Sequence, residues 1–175
     1  HLAEHDPLTR LPNRRQLFSQ LNLALERARQ RKELVGVFFL DLDHFKYIND
    51  SMGHLFGDRV LQTIAERLRG AVENFGFSAR LGGDEFMVLY ERATRFDEVQ
   101  RAGDLLVHAF QEPLVVDGRE LLISLSVGAS VYPEHGRDPE SLLRAADAAL
   151  FRAKANGRSQ LSMFSPDLLE AAAAK

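Results

Sequence analysis

The chain has 175 residues, 45% of them hydrophobic, enough for one domain with a sizeable core and too few for two. A formal net charge of -3 argues against a general nucleic-acid binder, so a phosphate ligand calls for a metal, and the lack of cysteine excludes disulfides and cysteine-zinc sites. No apolar run approaches the roughly 18 residues of a membrane span and no signal peptide opens the chain, so a cytoplasmic domain without direct membrane contact is expected, even within a membrane-anchored protein.

Residues 1–5 read as the end of an upstream connector, and Asp6-Pro7-Leu8-Thr9-Arg10-Leu11-Pro12-Asn13-Arg14 as a structured loop with two prolines. Leu17, Leu21, Ala24, Leu25 and Ala28 recur at helical spacing and predict an amphipathic helix that fades into Arg29-Gln30-Arg31-Lys32. The run Val35-Gly36-Val37-Phe38-Phe39-Leu40 is short and apolar throughout, which predicts a central strand buried on both faces. It ends on acid, at Asp41-Leu42-Asp43. From there through Gly53 and Gly57 the chain reads as a loop with one helical turn, and a helix starts at Asp58, striped by Val60, Leu61, Ile64, Leu68 and Val72.

Gly82-Gly83-Asp84-Glu85-Phe86 stands between two strand-like runs, Ala79-Arg80-Leu81 and Met87-Val88-Leu89-Tyr90. This predicts a hairpin whose glycines supply positive φ and leave room for a bulky ligand. Its adjacent acids repel each other unless a cation or a proton-transfer task awaits them. A helix over 96–110, a hairpin turn at Asp117-Gly118, a strand from Leu121 with a more polar face carrying Ser124 and Ser126, and a helix over 139–156 closed by Gly157 follow. Residues 160–164 read as a closing edge strand, and the alanine-rich 165–175 as a linker.

Stripped of additions, this order is βαββαβ, a ferredoxin-like α+β core: a mainly antiparallel sheet flanked by helices, as in nucleotidyl cyclases and polymerase palms. In that topology the end of the first strand and the hairpin tip share one sheet edge. Asp41 and Asp84 are then expected to face each other.

The acidic pentapeptide, together with Asp6-Pro7-Leu8-Thr9, Leu11-Pro12-Asn13-Arg14, Asp41-Leu42-Asp43-His44-Phe45-Lys46, Asn49-Asp50, Gly53-His54, Gly57-Asp58 and Lys154-Ala155-Asn156-Gly157-Arg158, resembles the GGDEF family of diguanylate cyclases. That family condenses two GTP into cyclic di-GMP and releases two pyrophosphates. The resemblance implies that Asp41, Asp84 and the backbone carbonyl of Leu42 hold Mg2+ (or Mn2+), for which hard oxygen ligands are suited. It implies that Glu85 helps metal binding or proton removal, although an exposed turn glutamate would look the same.

Asn49 and Asp58 match positions that read guanine. A carboxylate suits the N1-H and 2-amino donors, although Asp58 equally suits an N-cap. Phe45 and Lys46 match positions near ribose and phosphates, with Phe45 equally suited to the core, and Gly82 and Gly83 leave space for the nucleotide. Lys154 and Arg158 match a phosphate-contacting pair, while as cations at a helix end they would also offset the helix dipole. His54 is expected to be a structural histidine. Turnover needs a homodimer of domains, with an upstream sensory domain and a downstream EAL-type domain as compatible neighbours.

The family's inhibitory product site is an Arg-x-x-Asp motif, and its window here reads Glu73-Asn74-Phe75-Gly76, so product inhibition through it is not expected. A rival reading is a GTP-binding regulatory domain that no longer cyclises and controls an adjacent phosphodiesterase. Use of ATP is disfavoured by Asn49 and Asp58.

Overall fold

The computed structural model describes residues 4–168, so most of the expected connectors at 1–5 and 165–175 lies outside the described residues. After the proline-rich loop, α1 (Arg14–Arg31) starts where the Asn13 side chain accepts from the Gln16 N–H at 3.1 Å, and Lys32 closes it in the left-handed region at φ 56°. The apolar run forms β1 (Leu34–Leu42).

The stretch expected as loop is instead two helices, α2 (Phe45–Met52) and α3 (His54–Val72), joined at Gly53 with φ 90°. Asp58 therefore lies inside α3, past its first turn, and is not its N-cap. Gly57 is a packing glycine rather than a breaker: a Cβ there would sit 1.9 Å from Asn49 Oδ1 of α2. His54 opens α3 and is exposed.

The hairpin is β2 (Gly76–Gly82) and β3 (Glu85–Ala93), followed by α4 (Phe96–Ala109). A small ribbon, β4 (Leu114–Val116) and β5 (Arg119–Leu121), turns at Asp117 and Gly118 with φ 52° and 77°, the double left-handed conformation of a tight hairpin. The next strand, β6 (Leu125–Tyr132), starts later than the alternation suggested, and all of it is buried. Its serines are buried because their hydroxyls have internal acceptors: Ser126 donates to Asp43 at 2.6 Å and Ser130 to the Leu142 carbonyl at 2.7 Å. Helix α5 (Pro139–Ala155) and the short edge strand β7 (Leu161–Met163) complete the core.

The sheet order is β2-β3-β1-β6-β7, antiparallel except for the parallel β6–β7 pair. Its first four strands are the ferredoxin-like unit expected from the sequence. One face packs on α3 and α4 through Phe38, Leu40, Phe86 and Val88; the other packs on α1 and α5 through Val35, Val37, Met87 and Leu89. Period-2 alternation then puts Asp41, Asp43 and Glu85 on the α1/α5 face, at the end of the sheet where α5 finishes. Phe164 and Leu168 pack beneath α5 on Ala145, Ala148 and Ala149.

Candidate active site

The turn of the β2–β3 hairpin aims its acid at the end of β1. Glu85 pairs with Gly82 across the hairpin and with Asp41 across the sheet, leaving Gly83 and Asp84 as the tip. Gly82 and Gly83 take φ 142° and 51°, and a Cβ on either would meet nothing within 4 Å, so the glycines serve the backbone turn and border open space. The Leu42 N–H donates to the Asp84 carbonyl at 3.3 Å, which ties the tip to β1.

A second tie comes from the leading loop. The Arg80 guanidinium donates to both carboxylate oxygens of Asp6 at 3.0 Å and to the Gly83 carbonyl at 3.2 and 2.9 Å. Burial pushes the Asp6 carboxyl up, but hydrogen bonds from the Thr9 N–H and hydroxyl and from Arg80 outweigh it and hold the group below the usual range. The Asp6-Pro7-Leu8-Thr9 motif thus reaches the hairpin tip through Arg80.

Asp84 is pushed up to about 6, first by burial and then by the neighbouring negative charge of Asp41. Asp41 is 7% exposed; its Oδ2 accepts from Lys154 of α5, while its buried Oδ1 has no hydrogen-bond partner among the described residues. Two carboxylates pressed together, one with an orphaned oxygen, fit a divalent cation. Among the described residues no three or more His, Cys, Asp or Glu side chains are arranged to hold a metal ion by themselves. Magnesium takes one or two carboxylates and completes its shell with water and phosphate oxygens, so Asp41 and Asp84 are enough protein carboxylates for it. Glu85 lies directly opposite Asp41 on the same face, half-buried.

Lys154 reaches Asp41 because α5 lies directly on the sheet: a Cβ at Gly128 of β6 would sit 2.1 Å from the Leu150 nitrogen and 2.3 Å from the Ala146 carbonyl. Beyond α5, the Arg158 N–H donates to the Ala153 carbonyl at 2.9 Å and the Gly157 N–H to the Lys154 carbonyl at 3.4 Å, a Schellman closure with Gly157 at φ 110°. Arg158 then lies 3.6 Å from Asp43.

Asn49 and Asp58 come together less directly, with Asn49 set against Gly57, the residue before Asp58, and both half-buried. Lys46 is exposed on α2, and Phe45, 6% exposed, is part of the core beneath Gly57. The structure thus gathers Asp41, Leu42, Asp84, Glu85, Lys154 and Arg158 at one edge and puts Asn49, Asp58 and Lys46 on the helix pair that starts beside it. Sequence reasoning assigned no role to Arg80 or Asp43. Asp43 had a legible signal, since it, Ser124 and Ser126 each fall on one face at period 2.

Residues 73–76 border a groove of about 510 Å³, also lined by Arg27, Tyr90, Glu91 and Arg92. Glu91 is taken up by Arg27 and by Gln20 at 3.0 and 3.2 Å. A Cβ on Gly76 would sit 1.8 Å from the Leu89 carbonyl oxygen.

A five-stranded α+β sheet flanked by helices, with an acidic hairpin tip, a helix-end lysine and open space over a glycine turn, is the frame on which the site is built. The chain belongs to the GGDEF family: the family model described as "Diguanylate cyclase, GGDEF domain" matches residues 3–160. It is 42% identical over 159 residues to diguanylate cyclase TpbB of Pseudomonas aeruginosa, covering 90% of this chain and 37% of that protein. It is also 42% identical over 168 residues to cyclic di-GMP phosphodiesterase NbdA of the same species, covering 96% of this chain and 21% of that protein. A solved structure of the isolated GGDEF domain of TpbB superposes with a TM-score of 0.92 at 38% identity, covering 97% of this chain and 99% of that one. The chain spans from about a fifth to under two fifths of the length of these curated relatives.

Proposed function

We propose that this domain is a diguanylate cyclase that condenses two GTP into cyclic di-GMP and two pyrophosphates. The observation that carries the reading is the pairing of Asp84 with Asp41, with an unsatisfied Asp41 oxygen, beside Lys154. Asp41, Asp84 and the Leu42 carbonyl would hold Mg2+ or Mn2+. When bound, that ion neutralises the triphosphate and lowers the pKa of the attacking 3′-hydroxyl.

The chain's own groups do the rest. Lys154 and Arg158 take up phosphate charge, Lys154 leaving Asp41 to do so, and exposed Lys46 adds a point charge. Asp58 accepts from the guanine N1–H and 2-amino group and the Asn49 amide adds a further hydrogen bond to the base, which selects GTP over ATP. Phe45 supports that pocket from the core below. Glu85, opposite Asp41, completes the acidic edge, and its role would be to help hold the metal or to accept the hydroxyl proton.

Each domain binds one GTP, and two domains meet face to face. The 3′-oxygen of one nucleotide bonds to the α-phosphorus of the other, the bond to the β-phosphate breaks, pyrophosphate leaves with its electrons and the hydroxyl proton passes to base or water. A second round closes the ring. An upstream sensory segment would control the encounter, and a downstream EAL-type domain is a compatible neighbour in a longer chain.

A second reading is supported by the equal likeness to NbdA: a GTP-binding domain that regulates a linked phosphodiesterase without cyclising. Incubation with GTP and Mg2+, followed by nucleotide separation, decides between them. The cyclase reading expects cyclic di-GMP from wild type and none from Asp84→Ala, whereas GTP bound but unconverted favours the regulatory reading.

A further inference from the structure

Asp43 stands two residues after Asp41, just past the end of β1, and is equally buried, yet its chemistry is the opposite. The Ser124 hydroxyl donates to Oδ2 at 2.5 Å, the Ser126 hydroxyl to Oδ1 at 2.6 Å and the Ser159 N–H to Oδ2 at 3.0 Å, while the Arg158 guanidinium lies 3.6 Å from Oδ1. Asp41 keeps an unsatisfied oxygen; Asp43 has three donors and a cation around it, and little left to offer a metal.

What Asp43 holds is strained. Gly157, Arg158 and Ser159 run at φ 110°, 65° and 49°, and only the first is a glycine. Two consecutive side-chain-bearing residues in the left-handed region persist only where the surroundings over-determine them. A charge-assisted hydrogen bond from the Ser159 N–H to a buried carboxylate, braced by the hydroxyls of Ser126 in β6 and of Ser124 just before it, is such a constraint.

We infer that Asp43 is a positioning residue that clamps the turn after α5 and so presents Arg158 and Lys154 to the triphosphate at the Asp41 edge. The inference rests on the cyclase reading for its ligand. Asp43 touches neither substrate nor metal; it acts through the two cations and sets affinity for the charged end of the nucleotide, leaving base recognition by Asn49 and Asp58 untouched.

The test compares GTP-Mg2+ and guanosine binding by calorimetry in wild type, Asp43→Asn, Lys154→Ala/Arg158→Ala and the combined triple variant, with amide hydrogen exchange at Ser159. Asp43→Asn should weaken GTP by about tenfold, leave guanosine unchanged and speed Ser159 exchange. In the background lacking both cations it should cost nothing further. Equal losses for GTP and guanosine, full additivity with the double variant, or unchanged Ser159 exchange would each overturn the clamp. Should Asp43→Asn fail to fold, Ser126→Ala removes one brace and is expected to act in the same direction; no change in GTP affinity or Ser159 exchange there would count against the clamp. If wild type binds no GTP, the cyclase reading fails instead, and Ser159 exchange alone then decides the clamp.

Discussion

In the proposed cyclase Lys154 and a divalent cation compete for one carboxylate. In the free domain the lysine holds Asp41 Oδ2, so its removal should tighten Mg2+ or Mn2+ binding to the nucleotide-free protein and weaken GTP binding. The pair is partly exposed, which limits the gain to about 1 kcal/mol, or several-fold. Calorimetric titration of Lys154→Met with each ligand checks the opposite signs. Asp84 supplies a pH signature. Its folded pKa of about 6 lies above the ordinary 3.8, because burial and the charge on Asp41 disfavour its ionised form. Between those values the folded state holds the proton and the unfolded state does not, so the contribution of Asp84 to stability is fully present below pH 3.8 and is lost as pH rises through 6. Thermal unfolding of the metal-free domain should show that decline, and Asp84→Asn should remove it. Asp41 and Asp84 were legible as partners in the sequence, since a strand-end acid and a hairpin-tip acid fall on one edge once the topology is known. Arg80 was not, because its three-way grip on Asp6 and Gly83 joins residues that only the fold brings together.

Close backbone contacts place the elements that carry these side chains. Gly128 lets α5 lie on β6, and a methyl group there would strike backbone atoms at 2.1 and 2.3 Å, which cannot rotate away. Gly128→Ala should cost about 3 kcal/mol and lift the end of α5 off the sheet, parting Lys154 from Asp41. Denaturant unfolding measures the first effect and the GTP affinity of the surviving folded protein the second. The same physics explains why the stretch after Asp43 was misread as loop. Gly53 does break the helix, at φ 90°, but Gly57 is buried in α3 because Asn49 presses against it from α2. A glycine required by close approach and one required by a turn are identical in sequence. Ser124 and Ser126, read from the sequence as a more polar face, are the inward braces of Asp43.

At the scale of the whole molecule, regulation and partnership decide what the domain does. The window 73–76 lacks both charges of the family's product site, and the backbone has followed, with a Cβ at Gly76 standing 1.8 Å from the Leu89 carbonyl oxygen. Wild type should be free of noncompetitive block by cyclic di-GMP through this groove. Glu73→Arg/Gly76→Asp should not create such a block and should lose about 2 kcal/mol of stability, as inhibition curves and denaturant melts would reveal. In the proposed mechanism one domain carries one nucleotide site, so the reaction depends on encounter between two. The initial rate of cyclic di-GMP formation from GTP and Mg2+ across a dilution series tests this most directly. The rate is expected to rise with the square of protein concentration at the dilute end; a rate per domain independent of concentration, or no product at any concentration, would contradict it.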